Sequence, residues 1–463
     1  MRATAISALL VPALLAGAAH SAPADPHTLA LAAGYKAAFL CSGLFNALQT
    51  PEQVAADDLE GIYPEYQAAV RGLPAKIDRQ THTVSVAFDA KLPPRISAWR
   101  PGLGCSQLPI GAGPEVAARL PRLSVRPPPG DPDARPWPDG DRNASAPAPA
   151  RLGQAVAVMF DAAITPGGGT TTAVLVIRDG KILAERYRAG FDLHTPQRTW
   201  SAAKSLTATV VGRAALLGLV KVDAPANIPE WRTPGDPRAK ITLVQLMHMG
   251  SGLWTNGPGN RTDETYLGGA PVTQTATAMP LEAAPGARWR YANNDTLLAS
   301  RSVRAALGDG QRAIDFPFTQ VLWPIGMRHT TPETDWQGNF ILSSQVWTTA
   351  RDLARLALLY QNDGIWGGRR MLPAGWSTFV ATPAPAQPED VAAGGEGYGA
   401  FYWLPGTRAG LPAGTYYMNG NRGQFVFIVP SKRVILVRRG FDPATGARFD
   451  PDPFAREMLA ALD

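Results

Sequence analysis

The stretch "TWSAAKSLTATVVG", residues 199–212, places a serine and a lysine one helical turn apart at the start of an apolar run. Leu206 and Val210 recur near the 3.6-residue period, which predicts a helix packed on the core. Ser201 and Lys204 stand at i and i+3 and therefore share one face of that helix. Burial would lower the pKa of Lys204, and its neutral amine could then activate the serine as a nucleophile. The stretch alone leaves a second interpretation open, in which Ser201 caps the helix and Lys204 faces solvent.

Other catalytic arrangements find little support in the sequence. The nearest approach to a G-x-S-x-G nucleophile elbow is "HMGSGLW" around Ser251, which lacks the first glycine. The six histidines form no H-x-x-x-H or H-x-H pair of the kind that holds a catalytic zinc ion. A Ser-His-Asp triad and zinc-dependent hydrolysis are therefore both disfavoured.

Composition and the N-terminus indicate an exported globular protein. The 463 residues are 45% hydrophobic and 18% charged, enough for a sizeable core. The net charge of +6 includes no basic run with interleaved aromatic residues, so no nucleic-acid partner is indicated. "MRATAISALLVPALLAGAAHSAPADP" predicts a secretory signal over residues 1–24, and we expect a periplasmic or secreted protein. No later segment is apolar for long enough to span a bilayer, so no membrane anchor is expected, and the oligomeric state stays open.

The chain contains two cysteines, Cys41 and Cys105. In the oxidising compartment that the signal implies, such a pair most often forms a disulfide. Two buried free thiols are the alternative. A catalytic thiol is not indicated, because no histidine motif accompanies either cysteine.

The mature chain divides by composition into three parts. Residues 25–125 combine a helical pattern with short strand patterns and carry no recognisable chemistry, so we expect an N-terminal accessory domain. Residues 126–153 are rich in proline, aspartate and small residues, which predicts a linker or a belt over the surface. Residues 154–463 contain the serine and lysine and are predicted to form the hydrolase domain.

Patterns within this last part predict its fold class. Asp179-Gly180 lies between two strand-like runs and is a strong hairpin signal. "TARDLARLALLYQNDG" predicts a helix that ends at Gly364, "GQFVFIVPSKRVILVRRG" a second hairpin, and "DPFAREMLAALD" a closing amphipathic helix. Strands at both ends with helices between them predict an α+β fold whose sheet is assembled from the two ends.

A tyrosine could complete the site begun by Ser201. The pattern Y-x-N occurs three times, starting at Tyr291, Tyr360 and Tyr417. Tyr360 ends a predicted helix and Tyr417 precedes the last hairpin. Tyr291 follows a Pro-Gly turn and precedes a helix, and a tyrosine on such a loop can project into a cleft.

Three motifs resemble those of a known superfamily. "TWSAAKS", "RYANND" and "NGNRGQFVFIVPS" are similar to the three active-site motifs of the serine β-lactamases and penicillin-binding proteins. "VLVIRDGKILAERYRAGF", "LMHMGSGLWTN" and "TTARDLARLALLYQNDGIW" resemble the branch that contains class C β-lactamase-like esterases and 6-aminohexanoate-dimer hydrolases. The similarity runs roughly from residue 173 to residue 440. It implies a β-lactamase/transpeptidase-like α+β fold, an antiparallel sheet flanked by helices with a helical subdomain, to which the N-terminal domain is an addition.

The resemblance assigns roles to particular residues. Ser201 is the expected nucleophile, and Lys204 and Tyr291 share the work of general base and proton shuttle, although which of them takes the serine proton stays open. Asn293 would hydrogen-bond the substrate or hold the lysine. The oxyanion would lie between the backbone N–H groups of Ser201 and Gln424.

The third motif departs from the superfamily pattern. Where β-lactamases and penicillin-binding proteins usually have Lys-Thr-Gly, and many esterase-like relatives have histidine first, this chain has Asn421, Arg422 and Gly423. The usual cation is therefore absent unless Arg422 turns inward. That absence argues against a proficient β-lactamase without weakening acyl-enzyme chemistry.

Together these features predict an exported serine hydrolase that cleaves a small amide or ester through an acyl-enzyme. A D-Ala-D-Ala peptidase or weak β-lactamase is one alternative, and a non-catalytic sensor of acyl-like ligands is another. Trp254, Asn256 and Tyr266 lie on a loop that could contact an amide substrate. No metal or organic cofactor is expected, because serine, lysine and tyrosine supply the acid–base chemistry.

Overall fold

The computed structural model describes residues 25–142, 148–255 and 263–463, so the predicted signal at residues 1–24 and Asn256 lie outside the described residues. The helices are α1 (Pro26–Phe45), α2 (Pro51–Asp57), α3 (Pro64–Gly72), α4 (Ala150–Val158), α5 (Ala203–Leu216), α6 (Leu243–Met247), α7 (Asp263–Leu267), α8 (Val272–Ala278), α9 (Asn293–Ala306), α10 (Gln311–Pro317), α11 (Ala350–Gln361), α12 (Trp376–Ala381) and α13 (Pro451–Ala460). The strands are β1 (Ala75–Asp78), β2 (Thr83–Val86), β3 (Arg95–Arg100), β4 (Gly104–Gln107), β5 (Thr171–Arg178), β6 (Lys181–Tyr187), β7 (Gln197–Arg198), β8 (Thr331–Pro332), β9 (Val346–Thr348), β10 (Ile365–Trp366), β11 (Arg369–Arg370), β12 (Gly397–Tyr398), β13 (Trp403–Leu404), β14 (Tyr416–Gly420), β15 (Gln424–Val429) and β16 (Val434–Gly440).

A seven-stranded antiparallel sheet organises the second half of the chain, in the order β12-β13-β14-β15-β16-β5-β6. The predicted hairpin joins β5 to β6 through Asp179 and Gly180, whose φ angles of 50° and 76° suit the left-handed turn that this dipeptide favours. The second predicted hairpin is formed by β15 and β16. Because β16 pairs with β5, the sheet is assembled from both ends of this part, as the sequence indicates.

The sheet is covered by helices on both faces. Leu175 and Ile177 of β5 point into a core shared with α5, α9 and α11. Val174 and Val176 point to the other face, where α4 and α13 cover them. A strand buried on both faces requires a continuous apolar run, and "TAVLVI" supplies it. The predicted α+β fold class is confirmed.

Helix α5 runs through the middle of the protein and carries the lysine of the opening motif. It follows a 3₁₀ turn at Trp200–Ala202, and every residue of its first three turns is buried. A helix can be surrounded in this way where its side chains are small or apolar, or where its polar groups are hydrogen-bonded, as Lys204 is. Gly212 is one such position, because a Cβ there would overlap the ring of Trp376.

The N-terminal segment has its own core. Helix α1 packs on the four-stranded sheet β1-β2-β3-β4, and the predicted disulfide joins Cys41 of α1 to Cys105 of β4. Among the described residues, α1 alone is long and apolar enough to cross a membrane, with a mean hydropathy of 1.4. The expectation that no segment after the signal has such a composition was therefore wrong. Two thirds of that apolar window is buried in the protein, which accounts for its composition.

The N-terminal segment is fastened directly to the hydrolase part. The buried carboxyl of Glu333 accepts hydrogen bonds from Ser42 Oγ at 2.6 Å and from the backbone N–H of Cys105 at 3.0 Å. Trp200 and Leu267 from the hydrolase part belong to the same apolar cluster as α1. The boundaries predicted at residues 125 and 153 stay predictions.

The described part of the predicted linker forms a belt over the surface. Arg355 of α11 donates to the carbonyl oxygen of Pro138 at 2.9 Å and forms an ion pair with Asp141 at 2.8 Å. The indole of Trp137 donates to the carbonyl oxygen of Gly180 at 2.8 Å. These contacts fix residues 136–141 against α11 and the β5–β6 turn.

Candidate active site

The amine of Lys204 lies within hydrogen-bond distance of three groups in the site. Its Nζ lies 3.1 Å from Ser201 Oγ, 2.5 Å from Asn293 Oδ1 and 2.9 Å from the carbonyl oxygen of Ser343. The side chain is 1% exposed, and burial lowers the pKa of Lys204 well below its usual value. No carboxylate within the described part of the chain forms an ion pair with it. The neutral amine is therefore the favoured form.

Tyr291 closes the site from the start of α9. The Lys204 Nζ lies 4.8 Å from the centre of the tyrosine ring. Burial raises the pKa of Tyr291 above its usual value, and hydrogen-bonding interactions with Ser201 and Trp403 oppose that shift. Tyr291 thus stays a neutral phenol beside the Ser201 hydroxyl, and a phenol can both accept and donate a proton.

Aromatic rings hold Tyr291 in place. Its ring centre lies 5.4 Å from that of Trp403 and 6.0 Å from that of Tyr398, and Trp289 packs against the same group. Trp403 also lines the cavity beside Ser201. No local sequence pattern marks Trp403 as a site residue, because more than a hundred residues separate it from Tyr291.

A cavity of about 330 Å³ opens beside Ser201. Both the N-terminal segment and the hydrolase part supply its walls. The lining residues are Tyr35, Phe39, Tyr63, Arg198, Trp200, Ser201, Asp263, Tyr266, Leu267, Tyr291, Asn293, Ser344, Trp403, Asn419, Asn421, Ala444 and Arg448. The N-terminal segment is therefore part of the site, which its own sequence did not indicate.

Tyr266 lies at the cavity beside Ser201, on the loop that the sequence suggested as a possible substrate contact. It lines the cavity, and its hydroxyl is hydrogen-bonded to the Oγ of Ser343, the residue whose carbonyl accepts from Lys204. Trp254, from the same loop, is 39% exposed and is not among the cavity-lining residues.

The part of the third motif that reaches the cavity ends at Asn421, three residues before the expected Gln424. Asn419 and Asn421 line the cavity, whereas Gln424 does not. The Gln424 side chain is occupied in the sheet, where it donates to the carbonyl oxygen of Gly440 at 2.6 Å and accepts from Arg439 at 2.6 Å. Gln424 is therefore not among the cavity-lining residues, and the role of its backbone N–H stays a prediction.

Gly420 explains this three-residue difference. A Cβ on Gly420 would overlap the carbonyl oxygen of Thr199 and lie 3.2 Å from the backbone nitrogen of Ala202. The end of β14 therefore passes directly against the turn that carries Ser201. Asn421, the next residue, is the one presented to the cavity.

Arg422 and Gly423 face away from the cavity. Arg422 donates to the carbonyl oxygens of Asp58 at 3.0 Å and Glu60 at 2.6 Å, both in the N-terminal segment. A Cβ on Gly423 would overlap the side chain of Arg438 on the far side. Arg422 therefore supplies no cation to the site but joins the β14–β15 turn to the N-terminal segment.

One group of possible metal ligands occurs elsewhere among the described residues. The ligand atoms of Asp141, His194 and His329 lie within 4.8 Å of one another. Asp141 is already paired with Arg355 at 2.8 Å, and none of the three lines the cavity. We therefore assign these three residues no role in catalysis at Ser201.

Comparison with known proteins identifies the family and supports the fold. The family model "Beta-lactamase" matches residues 160–438. A 6-aminohexanoate-dimer hydrolase of Paenarthrobacter ureafaciens is 26% identical over 315 residues, which cover 61% of this chain and 74% of that protein. A family VIII carboxylesterase structure has a TM-score of 0.56 at 18% identity, covering 69% of this chain and 98% of that one.

A class C beta-lactamase structure has a TM-score of 0.51 at 17% identity, covering 68% of this chain and 97% of that one. The structural similarities establish the β-lactamase/transpeptidase-like fold, and the family match spans more than half of the chain. The resemblance drawn from the three motifs is thereby confirmed. The chain belongs to the beta-lactamase family and is a serine hydrolase.

Proposed function

We propose that the protein hydrolyses small amides or esters through an acyl-enzyme on Ser201, with Lys204 as the general base. The geometry around the amine carries this proposal. A neutral amine has two N–H groups and one lone pair, and two carbonyl oxygens, of Asn293 and Ser343, lie within hydrogen-bond distance. When both N–H groups point to these acceptors, the lone pair is left to face the Ser201 hydroxyl at 3.1 Å.

Acylation then follows in proton-balanced steps. Ser201 Oγ attacks the substrate carbonyl carbon as its proton passes to Lys204, and the carbonyl oxygen becomes an oxyanion. The proton returns through Tyr291 to the leaving nitrogen or oxygen, and the carbonyl–leaving-group bond breaks. Water repeats the sequence on the acyl-enzyme, which releases the acid and restores Ser201.

The oxyanion is assigned to the backbone N–H groups of Ser201 and Asn421. Ser201 lies in the first turn before α5, where backbone N–H groups have no partner within the helix. Asn421 replaces Gln424 in this role, because β14 brings Asn421, and not Gln424, to the cavity. Losing one such donor typically costs about 10²–10³ in rate.

Amide and ester substrates are proposed from the relatives, whose names specify a 6-aminohexanoate-dimer hydrolase and a carboxylesterase. Export to the periplasm or medium also stays a proposal, and the Cys41–Cys105 disulfide supports it because such bonds persist in oxidising compartments. A β-lactamase or D-Ala-D-Ala peptidase is less well supported, because Arg422 turns away from the site.

Intact-protein mass after exposure to a fluorophosphonate tests the proposal. We expect one adduct on the wild type and on Ser205→Ala, a control whose serine is buried four residues further along and bonded to Phe401. We expect no adduct on Ser201→Ala. An adduct retained by Ser201→Ala would contradict the assignment, and a lasting adduct with a penicillin would favour the penicillin-binding alternative.

A further inference from the structure

We infer that the cavity contains an anion subsite at Arg198, so that the substrate is an amide or ester that also bears a carboxylate. This inference rests on the proposed function and narrows its substrate class. The N-terminal segment builds one side of the subsite, which gives that segment a role in substrate selection.

Arg198 is a buried cation in the cavity wall, three residues before Ser201. Its side chain is fixed by hydrogen bonds from Nη2 to Ser344 Oγ at 2.8 Å and from Nε to the Ser344 carbonyl oxygen at 3.4 Å. Its guanidinium carbon lies 4.6 Å from the ring centre of Phe39 and 4.1 Å from that of Trp200. This aromatic clamp and the two hydrogen bonds orient the guanidinium before any ligand arrives.

Among residues 25–142, 148–255 and 263–463, no carboxylate forms an ion pair with Arg198. Within the described ranges its Nη1 makes no hydrogen bond, and no carboxylate lies within 4 Å of it. Two buried carboxyls, Asp58 and Glu333, act on it only through space. Burial raises the pKa of Asp58 to about 7, which weakens Asp58 as a counter-charge near neutral pH, and the carboxyl of Glu333 is already engaged by Ser42 and Cys105. A buried charge left unpaired is costly, and an anionic ligand would offset that cost.

Tyr35 offers a second unused donor in the same wall. Its ring stacks on Phe39 with centres 4.2 Å apart and lines the cavity, while its buried hydroxyl has no hydrogen-bond partner. Burial raises the pKa of Tyr35, and the charges of Arg422 and Arg198, in that order, oppose this rise. Charged acceptors such as a carboxylate bind best where several donors converge.

The charges at the cavity mouth favour the same ligand. Arg448 lines the cavity and is exposed, so it adds a second positive charge to the approach. Asp263 is the one acidic residue among the described residues that line the cavity, and it accepts a hydrogen bond from Tyr66 at 3.1 Å. A carboxylate on the substrate would thus meet Arg198 and Arg448, whereas the opposing carboxylate of Asp263 is already hydrogen-bonded.

The test compares 4-nitrophenyl hydrogen adipate, which carries a free carboxylate, with 4-nitrophenyl methyl adipate, in which a neutral methyl ester replaces that carboxylate. We expect the wild type to prefer the anionic ester in kcat/KM by about tenfold or more, as one hydrogen bond to a charged group permits. Arg198→Gln and Tyr35→Phe should lower this ratio. Tyr417→Phe is the matched control, because Tyr417 also stacks on a phenylalanine and has a buried, unpartnered hydroxyl but lies on the other face of the sheet.

A binding measurement separates this inference from the proposed function. Calorimetric titration of the Ser201→Ala protein compares monomethyl adipate with dimethyl adipate without any turnover. Preference for the acid supports the subsite even if no ester is hydrolysed. Equal binding of acid and diester, or a kcat/KM ratio that Tyr35→Phe and Arg198→Gln leave unchanged, would overturn the inference while acyl-enzyme chemistry on Ser201 still stands.

Discussion

Replacing Asn293 with aspartate would put a carboxylate where the structure has a neutral amide oxygen 2.5 Å from the Lys204 amine. Side-chain size is unchanged, so the perturbation is electrostatic. An opposite charge at this range raises the pKa of an amine by about 1–3 units. This opposes the burial that holds the pKa of Lys204 well below its usual value. The protonated amine cannot accept the proton of Ser201.

The magnitude follows from the fraction of neutral amine. Below both pKa values, each unit by which the pKa of Lys204 rises lowers that fraction tenfold, so activity falls about 10- to 1,000-fold. Above the raised pKa the neutral amine returns and activity recovers. The acid limb of the kcat/KM profile therefore moves to higher pH by about 1–3 units.

The assay is hydrolysis of a 4-nitrophenyl ester followed between about pH 5 and 10. Asn293→Leu is the control, because leucine removes the acceptor without adding charge. Removing an acceptor that favours the ammonium form cannot raise the pKa of Lys204, so that variant should lose activity with no upward shift of the acid limb. An unmoved acid limb in Asn293→Asp would refute Lys204 as the base.

Three further predictions follow from single contacts. Tyr291→Phe should lower kcat/KM for amides by about 10²–10⁴, but slow fluorophosphonate labelling much less, because fluoride leaves without a proton. Arg422→Ala should lower the free energy of unfolding in urea by about 1–3 kcal/mol, since it strands buried carbonyl groups, while Arg408→Ala at an exposed ion pair should not. Gly420→Ala should abolish ester hydrolysis, because its Cβ would push the turn at Thr199 out of place; normal turnover would contradict that reading.

Local sequence patterns predicted much of the fold. The Asp179-Gly180 dipeptide needs left-handed backbone at both positions and has it, and the strand and helix periods around it recur as β5, β6 and α11. The pairing of Cys41 with Cys105 was predictable because the chain offers no other cysteine.

The register of the third motif was not predictable, for a physical reason. "NGNRGQ" contains two glycines three residues apart, and either could end a strand at the nucleophile. Only the contact between Gly420 and Thr199, which are more than two hundred residues apart in sequence, selects the first. The same limit hid Trp403 and Arg198, whose roles depend on tertiary neighbours rather than on their own spacing.

The place of the N-terminal segment was equally invisible in sequence. Its helical and strand patterns predict α1 and the strands β2 to β4 but contain no sign of which surface they cover. Tyr35 and Phe39 reach the cavity because α1 packs on Trp200 and Leu267, contacts that no periodicity encodes. Pairings of this kind, distant in sequence, decide which residues line the cavity.

The central claim is that Ser201 carries the acyl group during turnover. The most direct measurement is acid quenching of the enzyme during hydrolysis of a slowly deacylated 4-nitrophenyl ester, followed by peptide mass mapping. We expect an acyl mass on the peptide that contains Ser201, and none in Ser201→Ala. Acyl mass on another residue, or full turnover by Ser201→Ala, would contradict it.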